Sequence, residues 1–144
     1  MKSKIYEDTA RRQKGRFFTI ENPFNHPAFI AWAKQAGLPD ATILEPFAGA
    51  GHIVRHLKDI DLCNDAVMFE IAPEAPDINV RDTLAMFPTQ YDVCVTNPPW
   101  LGKNNSQRPE MRVGSQLNTR HKDLYRYALS LALTHCKWVA ALIP

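Results

Sequence analysis

No run of apolar residues in the chain approaches the roughly 18 needed to cross a bilayer, which argues against a membrane span. The opening stretch MKSKIYEDTARRQKG is basic and polar and has no apolar core that could act as a secretory signal. The expected location is the cytoplasm. Cysteine is scarce: Cys63, Cys94 and Cys136, at spacings of 31 and 42, form neither a CxxC pair nor a disulfide framework and read as three buried thiols. His26, His52, His56, His121 and His135 lack metal-ligand spacing, so no metal site is expected. Repeats, low-complexity tracts and Gly/Ser-rich linkers are missing too, which leaves residues 14–144 as one unit behind a basic arm at 1–13.

What is present is ordinary globular material. The 144 residues make about one domain, with 45% hydrophobic and 22% charged residues, a balance that argues against wholesale disorder. The net charge of +2 hides an uneven distribution. Residues 1–16 carry six basic side chains against Glu7 and Asp8, and residues 101–126 carry six against Glu110 and Asp123, so the remainder is acidic. Two basic segments around an acidic middle suit a polyanion-binding face, because phosphate attraction is the sequence-independent part of nucleic-acid affinity. Solvated surface segments would leave the same pattern.

Periodicity organises the chain as alternating strands and helices. An N-cap and proline at Asn25-His26-Pro27, followed by Phe29, Ile30 and Ala33, predict a helix over about 26–36 that Gly37 and Pro39 stop. Residues 41–46 read as a short strand, Gly49-Ala50-Gly51 as a turn, and Ile53, Val54 and Leu57 as one face of a helix ending near Lys58. Further apolar runs fall at 66–71, 78–80, 91–96 and 138–143, with an amphipathic helix over 121–135 before the last. Runs this uniformly apolar suit a parallel sheet covered on both faces, so the expected fold is an α/β doubly wound sheet.

Three features carry chemistry. Glu45-Pro46-Phe47-Ala48-Gly49-Ala50-Gly51 closes the first strand, and its glycines permit a tight turn with close approach of a ligand to backbone N–H groups. Glu70 ends the second strand 19 residues after Gly51, where a Rossmann-like unit places an acid that accepts hydrogen bonds from ribose hydroxyls. A dinucleotide fingerprint would want a third glycine where Val54 stands, which counts against a dehydrogenase. A plain strand-to-helix turn remains the alternative for the glycines. Asp82 can meet an adenine amine of the same ligand or cap the following helix.

The third feature is Asn97-Pro98-Pro99-Trp100, at the end of the fourth strand. Successive prolines fix their φ angles and donate no N–H, so the loop is a stiff rack of acceptors beside an aromatic plate. If the Asn97 side-chain oxygen and the Pro98 carbonyl accept from an exocyclic amine, they favour a pyramidal nitrogen whose lone pair can attack an aligned methyl group. Trp100 would stack on the base. A proline-rich turn with a core tryptophan is the structural alternative.

These residues resemble the amino-methyltransferases that use S-adenosylmethionine, and among them the N6-adenine DNA methyltransferases. The resemblance covers nearly the whole chain. Lys14-Gly15-Arg16-Phe17-Phe18-Thr19 is similar to the family's N-terminal cofactor motif, EPFAGAG to its glycine motif, Phe69-Glu70 and Asp82 to its ribose and adenine contacts, and NPPW to its catalytic tetrapeptide. The implied cofactor is S-adenosylmethionine, held by Phe18, Thr19, Glu45, Pro46, Phe47, Gly49, Gly51, Glu70, Ile71, Asp82 and Asn97. Glu45 is implied to orient the cofactor's amino group, and Asn97, Pro98, Pro99 and Trp100 to form the catalytic set. The implied fold is the Rossmann-like sheet of a class I methyltransferase, with its first five strands ordered 3-2-1-4-5.

The implied reaction is methyl transfer to the N6 amine of adenine in DNA, as in restriction-modification systems. Lys103, Arg108, Arg112 and Arg120 of the polar segment after the tetrapeptide are the candidate nucleic-acid contacts. Two departures stand out: tryptophan replaces the commoner tyrosine, and the chain stops where family members continue. The expectation is therefore a core with strands 1–5 present and later strands missing, completed by a further region or a second chain. RNA adenine and protein glutamine are alternative acceptors, and a non-catalytic methyltransferase-like module is the alternative from another class.

Overall fold

The computed structural model of the chain describes residues 22–100 and 123–143. Helix α1, Pro27–Gln35, begins where His26 turns from extended backbone and its ring Nδ1 accepts the Ala28 N–H at 3.2 Å. Pro27 at the first helical position loses no hydrogen bond there. The cap is thus His26, one residue beyond Asn25. Gly37, at φ +85°, ends the helix, and the Leu38 N–H closes it on the Ala33 carbonyl at 2.9 Å.

Strand β1, Ile43–Glu45, leads through the glycine turn into α2, His52–Asp59, and on to β2, Ala66–Glu70. Then come β3, Asn79–Val80; β4, Val93–Thr96; α3, Leu124–His135; and β5, Trp138–Ala141. The five strands form one sheet, all pairs parallel, in the order β3-β2-β1-β4-β5. This is an α/β architecture. The strands are shorter than the apolar runs because the chain leaves the ladder early. Pro46 follows β1 and Pro98 follows Thr96 by two residues, and neither has an N–H to give to a neighbour.

Alternation along the central strands sorts the helices onto two faces. Ile43, Val93 and Val95 pack with Ala33 of α1 and with Ile53, Val54 and Leu57 of α2. Leu44 and Cys94 point the other way and pack with Ala132 of α3. The two edge strands depart from the expected uniform burial: in β3 Val80 is 75% exposed while the preceding Ile78 is buried, and β5 is half-buried throughout. All three cysteines are free and buried.

The strand order fixes where a site can form. From β1 the chain moves outward to β2 and β3, whereas β4, on the other flank of β1, leads to β5. Loops leaving the carboxyl ends of β1 and β4 therefore diverge and leave a crevice between them, the general ligand position of open α/β sheets.

Candidate ligand-binding and catalytic site

Glu45 is the last residue of β1 and is completely buried. Its Oε1 accepts the Phe47 N–H at 3.0 Å and the Thr96 hydroxyl at 2.6 Å, while Oε2 has no hydrogen-bond partner among the described residues. Burial pushes the carboxyl up to about 8. The hydrogen bonds from Thr96 and Phe47 pull it down, and the charge of Glu70 adds to the rise. A carboxyl so strongly perturbed at the carboxyl end of a central strand makes Glu45 a candidate functional group.

The turn after β1 needs its glycines. Gly49 and Gly51 sit at φ +58° and +81°, a region that costs other residues about 1–2 kcal/mol. Gly51 is also the N-cap of α2, and a Cβ there would stand 3.0 Å from Arg55 Nη1. Arg55 donates to the Ala50 carbonyl and braces the turn from the helix side. From the sheet side Glu70 does the same: its Oε2 accepts the Gly49 N–H at 2.9 Å and its Oε1 accepts the Ile71 N–H at 3.0 Å. The Ala72 N–H also reaches Oε1, at 3.4 Å, so the carboxylate gathers backbone donors from both the glycine turn and the chain after β2. Ile71, immediately after, is 42% exposed and offers an apolar surface beside that acid.

Asp82 and Thr83 follow β3. The Thr83 hydroxyl donates to the Pro46 carbonyl at 2.7 Å and ties this segment to the glycine turn. Asp82 Oδ1 accepts the Leu84 N–H at 3.2 Å, so Asp82 caps a turn where the sequence suggested a helix. Its half-buried side chain lies on the same carboxyl edge of the sheet.

Asn97-Pro98-Pro99-Trp100 leaves β4 on the neighbouring side. Leu142, just past β5, holds both ends of the segment. Its N–H donates to the Thr96 carbonyl at 3.0 Å, and its carbonyl accepts the Trp100 indole N–H at 3.2 Å. Pro98 is buried, and Asn97, Pro99 and Trp100 are half-buried. The tetrapeptide is thus fixed by its prolines from within and by the backbone of one residue, Leu142, from without.

The structure gathers Glu45, Pro46, Phe47, Gly49, Gly51, Glu70, Ile71, Asp82 and residues 97–100 along one edge of the sheet. Phe18 and Thr19, the basic residues Lys103, Arg108, Arg112 and Arg120, and the arm at 1–13 lie outside the described residues. Sequence reasoning missed Thr96, Thr83, Arg55 and Leu142. For the threonines the sequence offered only adjacency, Thr83 to Asp82 and Thr96 to Asn97; their burial is a finding of the structure. Leu142 acts through its backbone and leaves no side-chain trace. Among the described residues no three His, Cys, Asp or Glu side chains are grouped to hold a metal, and no helix is long and apolar enough to cross a membrane. Neither a protein-family model nor a curated protein sequence matches the chain.

Proposed function

We propose that the chain is a methyltransferase core that transfers a methyl group from S-adenosylmethionine to the exocyclic N6 amine of adenine in DNA. The observation that carries this reading is the 2.6 Å hydrogen bond from Thr96 to Glu45, which joins the glycine-turn segment to the NPPW segment at the switch point of the sheet. A bound cofactor and an acceptor amine have to meet at such a junction.

The residues present fit the cofactor. Glu45 Oε2 is a buried acceptor lacking a hydrogen-bond partner among the described residues and suits the cofactor's ammonium group. Glu70 suits ribose hydroxyls, Ile71 and Asp82 the adenine ring, and the backbone at Gly49 and Gly51 allows close approach. When bound, S-adenosylmethionine supplies an electrophilic methyl group on a sulfonium.

The chain's own residues do the rest. The Asn97 amide oxygen and the Pro98 carbonyl accept hydrogen bonds from the adenine amine, withdraw its lone pair from the ring and aim it. Trp100 stacks on the base, a contact worth about 1–3 kcal/mol in other base–aromatic pairs. The base reaches this edge only after leaving the duplex. The basic segments at 1–16 and 101–126 supply positive charge for a phosphate backbone.

Calorimetric titration with S-adenosylmethionine tests the cofactor half, repeated on Glu70→Ala and Asp82→Ala. Binding by the folded wild type that is lost or strongly weakened in both variants supports the reading, and no binding by a folded wild type overturns it. Methyl transfer measured side by side on DNA, RNA and a glutamine-containing peptide tests the acceptor, with DNA expected to be preferred.

A further inference from the structure

We propose that Glu45 receives its ligand by proton exchange: in the ligand-free chain the carboxyl holds a proton at Oε2, and a ligand's ammonium group displaces that proton and pairs with the carboxylate left behind. The identity of the ligand comes from the function proposed above, and the exchange comes from the chain's own geometry. Glu45 is 0% exposed, and its two oxygens are unequal. Oε1 is held by the Phe47 N–H and the Thr96 hydroxyl, whereas Oε2 has no hydrogen-bond partner among the described residues. An ionised carboxylate with one oxygen buried and without a donor among the described residues is costly, and a proton on that oxygen removes the cost.

Among the described residues, the titratable groups of the surrounding elements do not supply the missing charge. From β2 comes Glu70, an acid that opposes ionisation of Glu45. From β4 come the neutral Thr96 hydroxyl and the Cys94 thiol, which feels the Glu45 charge. Asp82, in the turn after β3, is another acid, with its Oδ1 on the Leu84 N–H. On α3, Tyr127 directs its hydroxyl to the Leu84 carbonyl at 3.5 Å. At the start of α2, burial favours neutral His52, and Arg55 is engaged by the Ala50 carbonyl. Burial accordingly pushes the Glu45 carboxyl up to about 8.

The exchange balances without any redox partner. A carboxylic acid and an ammonium ion become a carboxylate–ammonium pair, and one proton passes to the solvent. Oε1 keeps its two donors throughout. Below about pH 8 each binding event then releases close to one proton, so affinity rises about tenfold per pH unit between pH 6 and pH 7. Above that range a ligand α-amino group, ordinarily near 7.7–8.0, begins to lose its own proton and the gain stops.

Calorimetric titration of the full chain at pH 6.5, in buffers of different ionisation heat, counts the protons directly. S-Adenosylmethionine should release about one proton, and 5′-methylthioadenosine, which has no amino group, should release none. Glu45→Gln, checked for folding by circular dichroism, should bind S-adenosylmethionine with no proton release and a flat pH dependence. Binding by wild type without proton release overturns the exchange and leaves the cofactor reading standing. Equal release with 5′-methylthioadenosine, or undiminished release from Glu45→Gln, assigns the proton to another group and overturns the exchange as well. No binding by a folded wild type overturns both, and if Glu45→Gln does not fold, the two ligands on wild type decide.

Discussion

The Thr96 hydroxyl donates a 2.6 Å hydrogen bond to Glu45 Oε1 across 51 positions of sequence, both side chains being buried. The bond links the carboxyl ends of two neighbouring parallel strands. It also makes the residue before Asn97 a direct partner of the acid that opens the glycine turn. The glycine turn and the NPPW segment are thereby held in one register, which the proposed transfer reaction requires of its two halves.

Glu45 should give stability an unusual pH dependence. Its folded-state carboxyl is raised from 4.5 to about 8, so the folded chain keeps a proton that the unfolded chain releases. This contribution is fully present below about pH 4.5 and is lost as pH rises through about 8. The slope is at most about 1.4 kcal/mol per pH unit. Urea unfolding of wild type and Glu45→Gln from pH 5 to 9 should show the variant gaining on wild type up to about pH 8 and running parallel beyond it. Parallel curves throughout would contradict the burial argument.

Thr96→Val keeps the shape and removes the hydroxyl. It should cost about 0.5–1.5 kcal/mol, because Glu45 Oε1 loses one of its two donors and keeps the Phe47 N–H. The hydroxyl lowers the Glu45 pKa, so its loss should also extend the pH window of the previous prediction upward. Thr96→Ser should restore the pH window while giving up only the packing of one methyl group. Denaturant titrations over the same pH range check both.

Gly51→Ala places a side chain at φ +81° and within 3.0 Å of Arg55 Nη1. The arginine can move, but the backbone conformation stays strained. The expected cost is about 1–2 kcal/mol, with weaker ligand binding from a distorted turn. Unfolding midpoints and a calorimetric titration measure the two effects, and an unchanged midpoint would sink the conformational argument.

Trp100→Phe keeps an aromatic face and deletes the indole N–H that reaches Leu142. Stability should fall by about 0.5–1.5 kcal/mol, and methyl transfer should slow more than substrate binding weakens. Trp100→Ala should lose base binding as well. Equal kcat for Trp100→Phe and wild type would show that the tether does not position the tetrapeptide.

Much of the fold was legible because the hydrophobic periods are strong. Ile53, Val54 and Leu57 mark the buried face of α2, and the unbroken run Val93-Cys94-Val95 marks a strand covered on both sides. Boundaries were less legible, since they depend on prolines and loop hydrogen bonds, as at Pro46, as well as on apolar content. In the site, Glu45, Glu70, Asp82 and Asn97 stood out because acids and amides at strand ends are conspicuous. The contacts that order them were not, because Thr96 to Glu45 and Trp100 to Leu142 join residues far apart in sequence. The alternative in which Asp82 caps a helix is met only by a turn at 83–85, whose Thr83 hydroxyl is tied to the Pro46 carbonyl.

The most direct test of the proposed activity is product analysis. The purified chain is incubated with methyl-labelled S-adenosylmethionine and adenine-containing duplex DNA, and the DNA is digested to nucleosides. The prediction is labelled N6-methyldeoxyadenosine from wild type and none from Asn97→Ala. A folded chain that binds S-adenosylmethionine yet leaves adenine unmodified, or an Asn97→Ala variant that transfers at the wild-type rate, would contradict it.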